Sequence, residues 1–237
     1  MQYSIGFIGT GNMGSALARA VSKAVPPDSL YLSNRTTKKA QLLAKELGAN
    51  AVSVEEAARC DIVFLCVKPQ MMKELLSQIS SVLLSRKSDV TLVSVAAGLT
   101  MESIRQMAGE PYSVIRIMPN TPVAVGEGIV LYDYSENVPG DVIGYFLDSM
   151  KYAGLVDHLP EKLIDAGTSV AGCGPAFAFM FMEALANGGI ACGLPREKAL
   201  IYAQQMLLGS AKLAMLSQKH PAQLKDEVCS PGGSTIE

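Results

Sequence analysis

Short apolar runs alternate with stretches of helical spacing through the first two thirds of the chain. The runs at residues 3–8, 30–33, 62–67, 91–95, 113–118 and 128–132 are rich in β-branched and aromatic residues, so each is predicted to be a strand. Most are apolar on both faces, as strands packed between two helical layers require. Between them, residues 15–24, 37–47 and 71–84 place apolar side chains at helical spacing among good helix formers. Residues 138–153 read as another helix and 155–158 as a final strand. Strands alternating with helices predict a mostly parallel sheet covered by helices.

From about Leu159 the strand signal disappears, and Ala, Met, Leu and Phe dominate two long segments, 175–192 and 196–218. Both are predicted helices, with Pro175 and Pro195 at their starts, where the missing N–H is tolerated. The first is apolar nearly all round, with Phe177, Phe179, Met180, Phe181 and Met182, so it should be buried in a core or in a subunit interface. The change of pattern divides the chain into residues 1–158 and a smaller all-α domain at 159–237, without repeat, low-complexity tract or long linker.

The sharpest local signal is Gly9-Thr10-Gly11-Asn12-Met13-Gly14, which follows Ile8 at the end of the first predicted strand and precedes the first predicted helix. Gly9 suits a tight turn, Gly11 lets the backbone approach a pyrophosphate, and Gly14 allows the helix to pack close to the strand. The helix N-terminus adds free N–H groups and partial positive charge. In this frame the sheet is expected to be of the Rossmann type, doubly wound and mostly parallel, followed by the all-α domain. The adenosine ribose lies beside the end of the second strand, about 20 residues beyond such a loop. That end reads Ser33-Asn34-Arg35-Thr36 and holds no carboxylate to accept from ribose hydroxyls. Arg35 can instead pair with a 2′-phosphate, with Ser33, Asn34 and Thr36 as further polar partners, so NADPH is favoured over NADH. Val67-Lys68-Pro69 and Ala96-Ala97-Gly98 end later strands, where ligands of such sheets bind.

Composition narrows the partners. Formal net charge is −2 over 237 residues, without the basic footprint of a nucleic-acid or anionic-membrane binder. No uninterrupted apolar run reaches the ~18 residues of a membrane span. Nor does an export signal precede the first strand. The five cysteines are scattered without a C-x-x-C spacing, which suits reduced thiols in the cytoplasm. With His158 and His220 the sole histidines, a metal site has no support. A small metabolite is the expected partner.

Several segments together resemble the pyrroline-5-carboxylate reductase family. They are Phe7-Ile8-Gly9-Thr10-Gly11-Asn12-Met13-Gly14, Val67-Lys68-Pro69, Met118-Pro119-Asn120-Thr121-Pro122, Gly172-Cys173-Gly174-Pro175-Ala176-Phe177 and the run from His220 to Thr235. Leu224-Lys225-Asp226 followed by Ser230-Pro231-Gly232-Gly233-Ser234-Thr235 is the most specific of these. The resemblance implies NADPH-dependent reduction of a cyclic imino acid, 1-pyrroline-5-carboxylate, to proline by a homodimer or higher homo-oligomer. It also implies cofactor contacts by the glycine loop, the strand ends and Asn120. The loop from Ser230 to Thr235 would hold the substrate, with Thr235 within reach of the ring nitrogen.

The residues of that loop agree with this chemistry. A glycine-containing loop expected to open a helix at Thr235-Ile236-Glu237 can converge its N–H groups on a carboxylate. A protonated imine is already electrophilic, so positioning can replace a strong general acid. His220 is a loop histidine, with a minor proton relay as its other reading. Family members continue beyond the position of Glu237 with further helix, so the C-terminal domain is expected to be truncated here. Two other readings are a β-hydroxyacid dehydrogenase and a non-catalytic NADPH-binding relative that acts through a protein partner. The absence of lysine from residues 175–192 argues against the first, and the intact Ser230–Thr235 loop against the second.

Overall fold

A computed structural model describes residues 2–236. Its sheet comprises β1 (Ile5–Ile8), β2 (Leu30–Ser33), β3 (Asn50–Ala51), β4 (Ile62–Leu65), β5 (Thr91–Ser94), β6 (Ser113–Pro119), β7 (Gly128–Tyr134) and β8 (Gly154–His158). They lie in the order β3-β2-β1-β4-β5-β6-β7-β8. The first six follow the doubly wound Rossmann order, which puts a ligand crevice outside the ends of β1 and β4. All neighbouring pairs are parallel except β6 and β7. Those two are joined through a short 3-10 turn at Thr121–Val125, too little chain for the crossover that parallel strands need.

The strands bury both faces, as their composition predicts. Phe7 stacks on Phe64 at 4.4 Å between ring centroids, on the face covered by α1 (Asn12–Ser22) and α6 (Gly140–Ser149). Val63, Leu65, Leu92 and Val114 face the other way, against α4 (Met72–Leu84) and α5 (Met101–Ala108). Each fully buried side chain of this size contributes roughly 1.5–3 kcal/mol. The helix α2 (Thr37–Leu47) has its predicted bounds. Helix α1 begins at Asn12 rather than Ser15, because Gly11 itself takes the N-cap position.

The short elements β3, α3 (Val54–Ala57) and α5 have no foreshadowing in the apolar pattern. Local caps create the two helices. Ser53 and Glu56 form a reciprocal capping box at the start of α3. Thr100 accepts from Ser103 N at the start of α5, and Gly109 closes it at φ +80°.

The helix α7 (Glu161–Ala171) is also unforeseen, and it bears on the domain boundary. The change of pattern at Leu159 assigns it to the second domain. It packs instead on β6 and β7, through Ile164 and Ala171 against Met118 and Leu131. Arg116 of β6, 2 % exposed, pairs with Asp165 at 2.6 Å and Glu161 at 3.5 Å. The chain therefore separates into one compact unit ending at Pro175 and a second starting at Ala176.

The second unit contains most of α8 (Gly174–Ala191), then α9 (Arg196–Ser217) and α10 (Pro221–Val228). Its own core is small, with Ala186, Ala199 and Ala203 buried and Met182, Ile190 and Leu200 packed around them. Phe177 is 63 % exposed and Phe179 59 %, with Met180 and Phe181 similarly open. Of the two covers expected for this helix, the core of its own unit does not bury these four side chains among the described residues. The stretch Glu161–Ala191 also contains a window apolar and long enough to cross a membrane by length and composition alone, a property that the interrupted apolar runs of the sequence did not suggest.

Candidate functional site

The glycine loop takes its shape from steric contacts. Gly9 has φ +103°, a conformation that side chains strongly disfavour, and its N–H donates to Ser33 O at 2.8 Å. A Cβ at Gly9 would lie 2.4 Å from Cys66 O, and one at Gly14 would lie 2.0 Å from Gly9 O. Only glycine fits at either position. Gly11 differs: a Cβ there would meet nothing within 4 Å, so the protein itself imposes no need for glycine. The space outside Gly11 is where a pyrophosphate approaches such a loop.

Three further features suit an anion. Helix α1 has no side-chain cap on its first turn, which leaves N–H groups and the positive end of the helix for a ligand. Thr10 is 4 % exposed, and its hydroxyl has no partner among the described residues. Cys66 lies beneath Gly9 and Gly14, and enclosure of its thiol pushes its pKa up to about 12. It stays neutral at physiological pH and places no negative charge under the phosphates. The loop fits a dinucleotide.

The end of β2 is tied to this loop. Asn34 Oδ1 accepts from Thr10 N at 3.1 Å, and Asn34 Nδ2 donates to Thr36 O at 3.2 Å. Ser33 is buried. Arg35 is exposed and takes part in no ion pair among the described residues. Asn34 thus shapes the loop, and Arg35 is the group free to meet a phosphate. Beside them, a cleft of about 470 Å³ opens between the loop and helices α1 and α2.

The remaining sheet-end residues divide by exposure. Val67 and Pro69 are half-buried beside an exposed Lys68, and Ala96 is buried while Ala97 and Gly98 are open. Gly98 has φ +75°. Asn120 is 7 % exposed, and its amide accepts from Ile129 N at 2.8 Å and donates to Ala171 O at 3.0 Å. Its side chain braces β6, β7 and α7, with one N–H and one oxygen lone pair engaged in doing so.

In the second unit, Ser230, Pro231, Gly232, Ser234 and Thr235 are exposed and Gly233 half-buried. Gly232 has φ +71°, and Gly233 N donates to Ser230 O at 2.9 Å. Thr235 and Ile236 lie in a turn; the expected helix start is not formed there, and Glu237 lies outside the described residues. His220 caps α10, its Nδ1 accepting from Ala222 N at 3.2 Å. This is a structural contact at the helix start. Another cleft, about 440 Å³, opens between Leu83 and Asn137 at the opposite, N-terminal edge of β5 and β6, away from the strand ends where cofactors bind.

Two family models match the chain. One, described as NADP oxidoreductase coenzyme F420-dependent, covers residues 4–98, and the other, pyrroline-5-carboxylate reductase dimerisation, covers residues 161–237. Pyrroline-5-carboxylate reductase of Escherichia coli (strain K12) is 37 % identical over 241 residues, spanning 100 % of this chain and 88 % of the relative. Pyrroline-5-carboxylate reductase of Arabidopsis thaliana is also 37 % identical, over 99 % of this chain and 85 % of its own length. The crystal structure of Plasmodium falciparum pyrroline carboxylate reductase with NADP bound superposes with a TM-score of 0.87 at 34 % identity, covering 99 % of this chain and 87 % of that one. A loop that needs glycine at Gly9 and Gly14, an open cradle above it and similarity along the whole chain lead to one conclusion: this chain belongs to the pyrroline-5-carboxylate reductase family.

Proposed function

We propose that this chain reduces 1-pyrroline-5-carboxylate to L-proline with NADPH, the last step of proline biosynthesis. The observation that carries the reading is the similarity to reductases of this name over the whole chain, from the glycine loop through the Ser230–Thr235 segment. NADPH, when bound, supplies the hydride that reaches the imine carbon of the ring.

The chain's own residues bind and orient. Ile8 to Gly14 hold the pyrophosphate on the N–H groups of α1, and Arg35 meets the 2′-phosphate beside Ser33 and Asn34. Val67, Lys68 and Pro69, with Ala96, Ala97 and Gly98, flank the cofactor at the strand ends. Asn120 acts as a positioning residue, through the backbone it braces. The backbone of Ser230, Pro231, Gly232, Gly233 and Ser234 holds the substrate carboxylate, and the Thr235 hydroxyl fixes the ring nitrogen. Catalysis is then mostly alignment, which can supply a large part of a rate enhancement without a strong acid.

We further propose that the unit ending at Pro175 serves the cofactor and that the unit starting at Ala176 serves dimerisation and substrate binding. The exposed Phe and Met side chains of α8, within the segment that the dimerisation model matches, support burial between two subunits, since soluble proteins rarely leave such patches uncovered. A cytoplasmic location agrees with the free cysteines. The decisive experiment is NADPH oxidation by the full chain with 1-pyrroline-5-carboxylate, alongside a hydroxyacid offered in the reverse direction. Turnover of the imino acid alone is expected; turnover of the hydroxyacid alone overturns the assignment.

A further inference from the structure

The cleft between α1 and α2 contains a cation that the cofactor reading does not use. We infer that Lys39 is a second cation for the 2′-phosphate, gripping it together with Arg35 and so setting the preference for NADPH over NADH. The inference rests on the cofactor reading above and deepens it.

Placement is the first argument. Thr10, Gly11, Asn12 and Ser15 line the cleft on the side of the glycine loop, and Lys39 lines it from α2. Lys39 lies in the first turns of α2 beyond Arg35, and its N–H donates to Thr36 O at 2.9 Å. Lys38 is equally exposed but does not line the cleft. The helix therefore sends one of two adjacent lysines toward the glycine loop.

Charge is the second argument. Lys39 has no ion pair among the described residues. The carboxylate that shares the cleft, Glu46, is held by Arg19 in a two-point contact at 2.7 and 2.8 Å. The first turn of α2 has no acidic residue, and its N-cap Thr36 makes no side-chain cap. A phosphate monoester carries about −1.5 to −2 at neutral pH, so one guanidinium leaves much of that charge unmatched. A second cation beside the helix N-terminus completes the neutralisation.

Orphaned polarity is the third. Thr10 lines the same cleft, and its buried hydroxyl lacks a partner among the described residues. This points to a polar ligand at the loop independently of Lys39.

The test is equilibrium titration of the full chain with NADPH, NADH and adenosine 2′,5′-bisphosphate, for the unmutated protein and for K39Q, K39R and K38Q. All three substitutions lie on the exposed face of α2, so folding is preserved. K39Q is expected to weaken NADPH and the bisphosphate by about tenfold, the effect of one charge-assisted hydrogen bond, with NADH unchanged. K39R should retain most of the affinity, and K38Q all of it. Unchanged NADPH binding in K39Q, an equal loss for NADPH and NADH, or an equal loss in K38Q each overturns the role of Lys39. If the unmutated protein shows no preference for NADPH, the cofactor reading fails first and takes this inference with it.

Discussion

Asn34 Oδ1 accepts a hydrogen bond from Thr10 N at 3.1 Å, which fastens the end of β2 to the glycine turn after β1. The second amide contact of Asn34, to Thr36 O, orients the segment that carries Arg35. Loop shape and phosphate recognition are therefore joined through one side chain. Asn34→Ala should weaken NADPH and NADH alike, by about 1 kcal/mol each, the net worth of one hydrogen bond. Parallel titrations check this; a loss confined to NADPH would move Asn34 to the 2′-phosphate.

Arg35→Ala should behave differently. Its guanidinium is exposed and outside every ion pair of the described residues, so it contributes little to the fold. NADPH binding should weaken by roughly 1–3 kcal/mol with NADH nearly unchanged. Equal losses for both dinucleotides would remove the phosphate assignment.

The loop glycines separate stability from binding. A Cβ at Gly14 would collide with Gly9 O at 2.0 Å, whereas one at Gly11 would meet open space. Gly14→Ala should thus lower the melting temperature, at a cost of about 1–3 kcal/mol as overpacking does. Gly11→Ala should leave the melting temperature unchanged and lower affinity for both dinucleotides. Thermal scans with and without cofactor distinguish the two variants.

Assembly can be tested on α8. Phe177 and Phe179 are more than half exposed in the single chain. A charge placed in a buried interface costs several kcal/mol, so Phe179→Glu should shift the protein toward monomer in light scattering. An assembly state identical to that of the unmutated protein would exclude Phe179 from the interface.

Thr235→Ala should lower turnover or raise the apparent substrate constant by roughly tenfold, the effect of losing one oriented hydrogen bond. NADPH affinity should be unaffected, since the glycine loop is intact. Steady-state kinetics with 1-pyrroline-5-carboxylate check both halves, and wild-type kinetics would leave the loop as an anion nest without a role for the hydroxyl.

Much of the first unit was legible in the sequence because its signals are local. A glycine triplet at fixed spacing between an apolar run and a helix constrains only neighbouring backbone, and β1, β2, β4, β5 and the long helices have close to their predicted bounds. The lack of a carboxylate at Ser33-Asn34-Arg35-Thr36 could likewise be read without coordinates. Segments such as α3 and α5 were not legible from apolar periodicity because they are too short to show a period; caps at Ser53 and Thr100 make them.

Only tertiary structure decided what distant groups do to one another. Asn34 and Asn120 both read as cofactor ligands, yet their amides are engaged by Thr10 and Thr36 in one case and by Ile129 and Ala171 in the other. Arg116 is a lone charge in an apolar run until α7 brings Glu161 and Asp165 to it. That pairing draws α7 to the sheet across the boundary suggested by composition. The sequence by itself determined the alternation of strands and helices and the chemistry available at each strand end, because periodicity and residue type act over a few residues. Which polar groups are left free for a ligand depended on the packing of strands and helices far apart in the chain, and that no local pattern encodes.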